Sequence, residues 1–266
     1  MIKYGRLELH KSEEVIAVGD IHGEYKKLEN ILPKILPFLS NPKCHLVFCG
    51  DYCDIGENSP KVFEILIDLK NKYPEQVFFI SGNHEAMLEH TLSGRNDWLH
   101  YTNKTLYQFI ENYNLPDSLL ETIKKVCDER GVTDFLKSLI PYYESDSVII
   151  THAPLDKTIC LMHGLEDYEE DLKDPNYFGV GGKYFLDRII FELFWGNTPE
   201  EGEIMKIPQI KKFLICGHQF KHHPQPRLFK DRAFIDTGCG YYAQKPLIAL
   251  KYPGKVVFKG EDWGLS

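Results

Sequence analysis

The chain has 266 residues, enough for one large domain or two small ones. Its 31 Lys+Arg against 39 Asp+Glu leave a net charge of −8, which argues against a protein built to grip nucleic acid, because such binding rests on a cationic surface. Apolar residues are 43% and charged residues 26%, close to the globular average, so wholesale disorder is excluded and a chain of this length needs no disulfide staples.

The N-terminal stretch MIKYGRLELHKSEE has no apolar run suited to a signal peptide. The oiliest segment, ILPKILPFL (31–39), carries Pro33, Pro37 and a lysine and is too short to span a bilayer. A cytoplasmic protein without a membrane partner is the expectation. The seven cysteines (Cys44, Cys49, Cys53, Cys127, Cys160, Cys216 and Cys239) form no C-x-x-C pair, and they read as free thiols of a reducing compartment.

Six short apolar runs stop at small or polar clusters: VIAVGD (15–20), HLVFCGD (45–51), VFFISGN (77–83), SVIITHA (147–153), FLICGH (213–218) and AFIDTG (233–238). Near-continuous Val/Ile/Leu/Phe runs of this kind predict strands buried on both faces. A helix from about Glu24 to Leu39, weakened by Pro33, separates the first two runs. A second, capped by Ser59 with Pro60 in its first turn, runs to about Tyr73. The β-α-β-α-β order implies a largely parallel sheet with right-handed crossovers. Residues 86–140 read as a mainly helical insertion beside that sheet, within a single domain covering 1–266. The acidic run at 166–174 reads as a solvated face, and GVGG (179–182) lacks the spacing of a phosphate-cradling loop.

The polar residues that close the runs carry the chemistry. They are Asp20 and His22, Asp51 with Asp54 behind it, Asn83-His84-Glu85, His152 and His218. In open α/β sheets the carboxyl ends of parallel strands converge on one crevice. Taken singly, each residue is more simply a cap or a satisfied turn residue. Five strand ends closing on Asp, Asn or His in one chain is a different matter. Carboxylates suit hard cations and imidazoles suit zinc, iron or manganese, so a mixed set suits two adjacent metals, with one aspartate able to bridge them.

GDIHG (19–23), GDYCDIG (50–56) and GNHE (82–85) together resemble the three-part signature of the calcineurin-like metallophosphoesterases, closest to the phosphoprotein phosphatase branch. That branch includes serine/threonine protein phosphatases and bacterial symmetrical dinucleoside tetraphosphatases. ITHAP (150–154), ICGH (215–218) and FIDTGCGYY (234–242) extend the resemblance over about residues 14 to 250. It implies a four-layer α/β/β/α sandwich with two divalent metal ions at the strand ends. Manganese is the leading expectation, with iron, zinc or nickel as alternatives. It further implies that Asp20 and His22 hold one ion, that Asp51 bridges both, and that Asn83, His152 and His218 hold the other. His84 matches the histidine that protonates the leaving oxygen, with Asp54 orienting it.

The implied activity is hydrolysis of phosphate monoesters by attack of a metal-bridging hydroxide, most like a serine/threonine protein phosphatase. The alternative is a dinucleoside polyphosphate (diadenosine tetraphosphate) hydrolase, and a non-catalytic metal-binding scaffold is the least favoured. Partners are then a phosphorylated protein or nucleotide. Cys49 and Cys53 flank Asp51 but sit in no C-x₅-R loop, so a nucleophilic cysteine is disfavoured. Two departures stand out. Ile55 occupies the place of an arginine that follows the GDxxD aspartate, and Asn197, in FWGNT (194–198), aligns with a second phosphate-binding arginine. Arg95, Lys183 and Arg188 are the candidate replacements. Phe220 stands where another branch of the superfamily has a histidine, which leaves His222 and His223 as loop residues.

Overall fold

The computed structural model describes residues 10–95, 97–115, 120–154, 212–218 and 225–261. Its first strands are β1 (Glu14–Val18), β2 (Cys44–Phe48), β3 (Val77–Phe79), β4 (Tyr142–Glu144) and β5 (Val148–Thr151). Then come β6 (Phe213–Cys216), β7 (Arg227–Leu228), β8 (Arg232–Phe234), β9 (Leu247–Tyr252) and β10 (Val256–Gly260). They form two five-stranded sheets, in the orders β10-β9-β1-β2-β3 and β4-β5-β6-β8-β7. All six predicted runs are strands. β1, β2 and β3 pair in parallel, as do β5, β6 and β8, while β4 and β7 add antiparallel edges to one sheet and β9 and β10 an antiparallel pair to the other.

Strand alternation explains the layering. Ile16, Val18, Leu46 and Phe48 point to the helices, while Val15, Ala17, Val47 and Cys49 point to Val148, Ile150, Phe213 and Ile215 of the second sheet. A strand buried on both faces has no polar face to show, which is why these segments read as unbroken apolar runs.

The predicted 24–39 helix is α1 (Tyr25–Ile35) followed by a 3₁₀ turn over Leu36–Ser40. Pro37 has no N–H to donate back along the helix, so the regular ladder stops there. The second helix, α2 (Ser59–Lys72), has its cap one residue earlier than predicted: the Asn58 side chain accepts from the Lys61 N–H at 2.9 Å. The insertion contains α3 (Asn83–Leu92), α4 (Leu99–Asn112), α5 (Leu120–Glu129) and α6 (Val132–Lys137). Leu106, Phe109, Ile123, Cys127 and Phe135 belong to the same buried cluster as α1, α2 and the first sheet. The insertion therefore continues the helical layer. Its first helix starts at Asn83, which carries the GNHE motif onto a helix N-terminus.

Candidate metal centre

The strand ends bend sharply before they deliver their side chains. His22, Asp51, Asp54 and His218 all have left-handed backbones, with φ of 49°, 53°, 65° and 69°. This conformation costs a non-glycine residue about 1–2 kcal/mol and persists only where the surroundings hold it. The surroundings do so here. The Asp51 carbonyl accepts from the N–H groups of Ile21 (3.0 Å) and His22 (2.8 Å), and the His218 N–H donates to Asp20 Oδ2 at 2.9 Å. Two motif glycines have a steric cause: a Cβ on Gly82 would lie 2.2 Å from Asp51 Oδ1, and one on Gly217 would lie 2.0 Å from Asp20 Oδ1.

Asp51 is the centre of the arrangement. Its Oδ2 is 3.4 Å from His22 Nε2 and its Oδ1 is 3.4 Å from His152 Nε2. His152 Nε2 is in turn 3.0 Å from Asn83 Oδ1 and 3.0 Å from His218 Nδ1. Two ligand clusters thus share one carboxylate: His22, Asp51 and His84 on one side, Asp51, His152 and His218 on the other.

The protonation pattern of this set fits cations. His22 Nδ1 faces the Cys53 carbonyl at 3.1 Å, and His152 Nδ1 faces the Cys49 carbonyl at 2.9 Å. A carbonyl only accepts, so Nδ1 keeps the ring proton and Nε2 is left with a lone pair, the usual preparation of a ligating imidazole. Burial keeps both rings neutral, lowering His22 to about 4 and His152 to about 3. Two bare nitrogens therefore face two carboxylate oxygens. Asp20 Oδ1 is buried with no hydrogen-bond partner. Burial, with Asp236 and Asp51 nearby, pushes the Asp20 carboxyl well above the usual range. Burial also works against charge on Asp51, but the imidazoles of His152, His84, His22 and His218 hold it well below that range. Carboxylate, amide and imidazole donors on buried neighbours form a set that divalent transition metals satisfy.

His84 differs from the other imidazoles. Its Nδ1 lies 2.7 Å from Asp54 Oδ2, and its Nε2 points back to within 3.9 Å of Asp51 Oδ2. Burial disfavours charge on this ring, yet Asp51 and the Asp54 hydrogen bond outweigh it and raise the group to about 9. The structure therefore brings His84 and Asp54 together as a hydrogen-bonded pair.

Two residues contribute that sequence reasoning gave no role. Glu85 is buried and accepts from the backbone N–H groups of Asp51 (2.8 Å), Tyr52 (2.7 Å) and Gly82 (3.0 Å), so it pins the bridging loop to the helix start. Its signal was the last letter of GNHE. Asp236 is buried after β8 and caps the Gly238 N–H at 2.7 Å; burial and Asp51 raise it to about 7. Its signal was another run closing on an aspartate. Cys49 and Cys53 are buried, and burial pushes both thiols well above their usual range, which leaves no thiolate to attack.

The candidate substrate-binding residues separate differently. Arg95 is exposed after α3, and its Nε donates to Ser93 Oγ at 3.3 Å. Asn197, Lys183, Arg188, Phe220, His222 and His223 lie outside the described residues. Ile55 has φ of 56°, and its carbonyl accepts from Lys104 Nζ of α4, a cation beside the site that the sequence reading passed over. Tyr241 is half exposed, with its ring edge-on to His22 at 5.5 Å.

Residues 14–260 match the model of the family described as calcineurin-like phosphoesterases. The chain belongs to that family. It is 43% identical, over 72 residues, to the PP2A-like serine/threonine-protein phosphatase PPG1 of Candida albicans; the match covers 27% of this chain and only 17% of that relative. Among solved structures, a cold-active protein-tyrosine phosphatase of a psychrophilic Shewanella species shares the phosphoesterase fold at a TM-score of 0.58 and 19% identity, over 94% of this chain and 81% of that one. A putative diadenosine tetraphosphatase does so at 0.56 and 17% identity, over 97% of each chain. The two sheets with their helical layer are the α/β sandwich that the motifs implied. Among the described residues no helix is long and apolar enough to cross a membrane.

Proposed function

We propose that this protein is a dinuclear metal-dependent phosphomonoesterase, most like a serine/threonine protein phosphatase. The observation that carries the reading is the pair of bare Nε2 atoms, on His22 and His152, each 3.4 Å from a different oxygen of Asp51. Asp20 and His22 would hold one ion, Asn83, His152 and His218 the other, with Asp51 shared. When bound, two divalent ions polarise phosphoryl oxygens and acidify water. The chain's own residues do the rest. His84 carries a proton at Nε2 for the departing alkoxide, and Asp54 fixes its tautomer through Nδ1. Glu85 keeps Asp51 from swinging away as charge develops.

A second reading is hydrolysis of dinucleoside polyphosphates. The match of the putative diadenosine tetraphosphatase over 97% of both chains favours it, and the half-exposed Tyr241 ring offers a face on which a nucleobase stacks. Phosphorylated proteins or nucleotides are the substrate classes, and a reducing cytoplasm suits the free buried cysteines.

The test is a turnover panel on manganese-reconstituted protein with a phosphopeptide, an aryl phosphate and diadenosine tetraphosphate. Faster turnover of the phosphopeptide supports the first reading, and faster turnover of the dinucleotide the second. Exhaustive chelation, checked by elemental analysis, is expected to abolish turnover. Undiminished activity in metal-free protein would overturn both readings. Asp51→Asn is expected to lower manganese stoichiometry as well as rate, since it weakens both sites together.

A further inference from the structure

The loop from Asp54 to Ser59 is held by one face of a helix about fifty residues further along the chain. On α4, Lys104 Nζ donates to the Ile55 carbonyl, Gln108 Nε2 donates to the Gly56 carbonyl at 2.9 Å, and Gln108 Oε1 accepts from the Ser59 N–H at 2.8 Å. Asn112 Oδ1 accepts from Asn58 Nδ2 at 2.8 Å. Positions 104, 105, 108 and 112 fall on one side of a helix, because residues three, four and seven or eight apart stack. The loop needs such a hold: Asp54 and Ile55 are consecutive left-handed residues, and Ile55 is β-branched.

At the centre of that face is Thr105, fully buried. Its hydroxyl donates to Asp54 Oδ1, and its Oγ1 accepts the Asp54 backbone N–H at 2.9 Å. Ser59 Oγ also accepts that N–H at 3.0 Å and lies 3.2 Å from Thr105 Oγ1. One hydroxyl thus fixes both the backbone and one carboxylate oxygen of Asp54, and leaves the other oxygen, Oδ2, for His84 Nδ1 at 2.7 Å. A carboxylate with a single fixed partner is free to turn about its last torsion; one gripped at both oxygens is not. We infer that Thr105 is a positioning residue for proton delivery: it sets the plane of the Asp54 carboxylate and, through it, the tautomer and aim of His84. The inference rests on the reading of His84 as general acid.

The experiment compares wild type with Thr105→Val, which keeps shape and loses the hydroxyl, and Thr105→Ser, which restores it. His84→Ala runs in parallel. Thr105→Val is expected to lower kcat on an alkyl phosphate by about 10- to 100-fold, the scale of a small misalignment in a reacting group. An aryl phosphate with a good leaving group is expected to lose less, and Thr105→Ser to recover most of the loss. The second readout needs no turnover. The downfield NMR resonance of the His84 Nδ1 proton, assigned by its loss in His84→Ala, is expected to shift or vanish in Thr105→Val and return in Thr105→Ser. An unmoved resonance in folded Thr105→Val, or equal losses on both substrates, would overturn the inference. If His84→Ala itself shows no leaving-group dependence, the general-acid reading fails, and a moved resonance in Thr105→Val would still show that Thr105 orients the pair.

Discussion

His84 is held as a cation, with protons on both ring nitrogens, while His22 and His152 stay neutral with one each, although all three lie within 4 Å of the same aspartate. The partner of Nδ1 makes the difference. A backbone carbonyl faces His22 and His152, and a neutral acceptor does little to favour charge against burial. A carboxylate faces His84, and with Asp51 it moves the ring to about 9. His84→Ala is therefore expected to lower kcat by about 10²–10⁴ on alkyl phosphates and by less on aryl phosphates. Equal losses with normal metal content would mean that the ring holds phosphate instead. Ile55 is the opposite case, a residue whose backbone suits it badly. With φ of 56° on a β-branched side chain, Ile55→Gly is expected to stabilise the fold by about 1 kcal/mol, read as a higher urea midpoint at unchanged slope. Ile55→Arg, which restores the arginine that related motifs carry, is expected to raise kcat/KM on a small aryl phosphate, because a charge-assisted hydrogen bond to phosphate contributes about 1.5–3 kcal/mol.

Elements were legible where their signal is local. A run such as VIAVGD or SVIITHA contains its own evidence, since two buried faces demand apolar side chains throughout and the polar stop marks the end. β10 went unread because it is an edge strand that mixes polar and apolar residues, as VVFKG does, and β9 because its apolar run LIAL ends in no polar stop of the kind that closes the other runs, although Pro253-Gly254 between them is a turn signal. The cap of α2 was misplaced by one residue because Asn58 and Ser59 are both good caps, and the choice is made by the Asn58 contact with Asn112. Asn58→Ala removes both contacts and is expected to cost about 1 kcal/mol, measured by chemical denaturation. The candidate metal ligands stood out for the same local reason, each sitting just beyond an apolar run. The bracing of Asp54 was not. Thr105 and Gln108 lie on a polar-looking face of a helix, and no periodicity tells that this face meets a loop 49 to 52 residues earlier.

The two sheets meet over an apolar seam into which one polar pair is set. His45 of β2 lies 2.8 Å from the Tyr143 hydroxyl of β4, which also donates to Ser12 Oγ at 3.0 Å. Burial, with His10 beside it, lowers the His45 ring to about 4. In the unfolded chain the ring takes up its proton near pH 6.5, and in the folded chain only near 4, so the unfolded state binds more protons in between. This contribution to stability is full above pH 6.5 and is lost as the pH falls toward 4. Thermal unfolding across that window is expected to show a smaller pH dependence in His45→Gln than in wild type, and parallel curves would remove His45 as the cause.

The crevice draws its candidate ligands from both sheets: Asp20, His22 and Asp51 follow strands of one, His152 and His218 follow strands of the other. Any cation held there fastens the sheets at one end, and its affinity becomes mechanical coherence of the whole molecule. Binding at 100 times Kd adds about 2.7 kcal/mol to unfolding by mass action. Without such a cation the sheets would keep their apolar seam but lack that clasp, and opening is expected to begin at the crevice. The His218 amide, whose bond to Asp20 Oδ2 crosses from one sheet to the other, is then the place to watch it. Its hydrogen exchange should quicken on chelation while the amides of β1 and β2 stay slow.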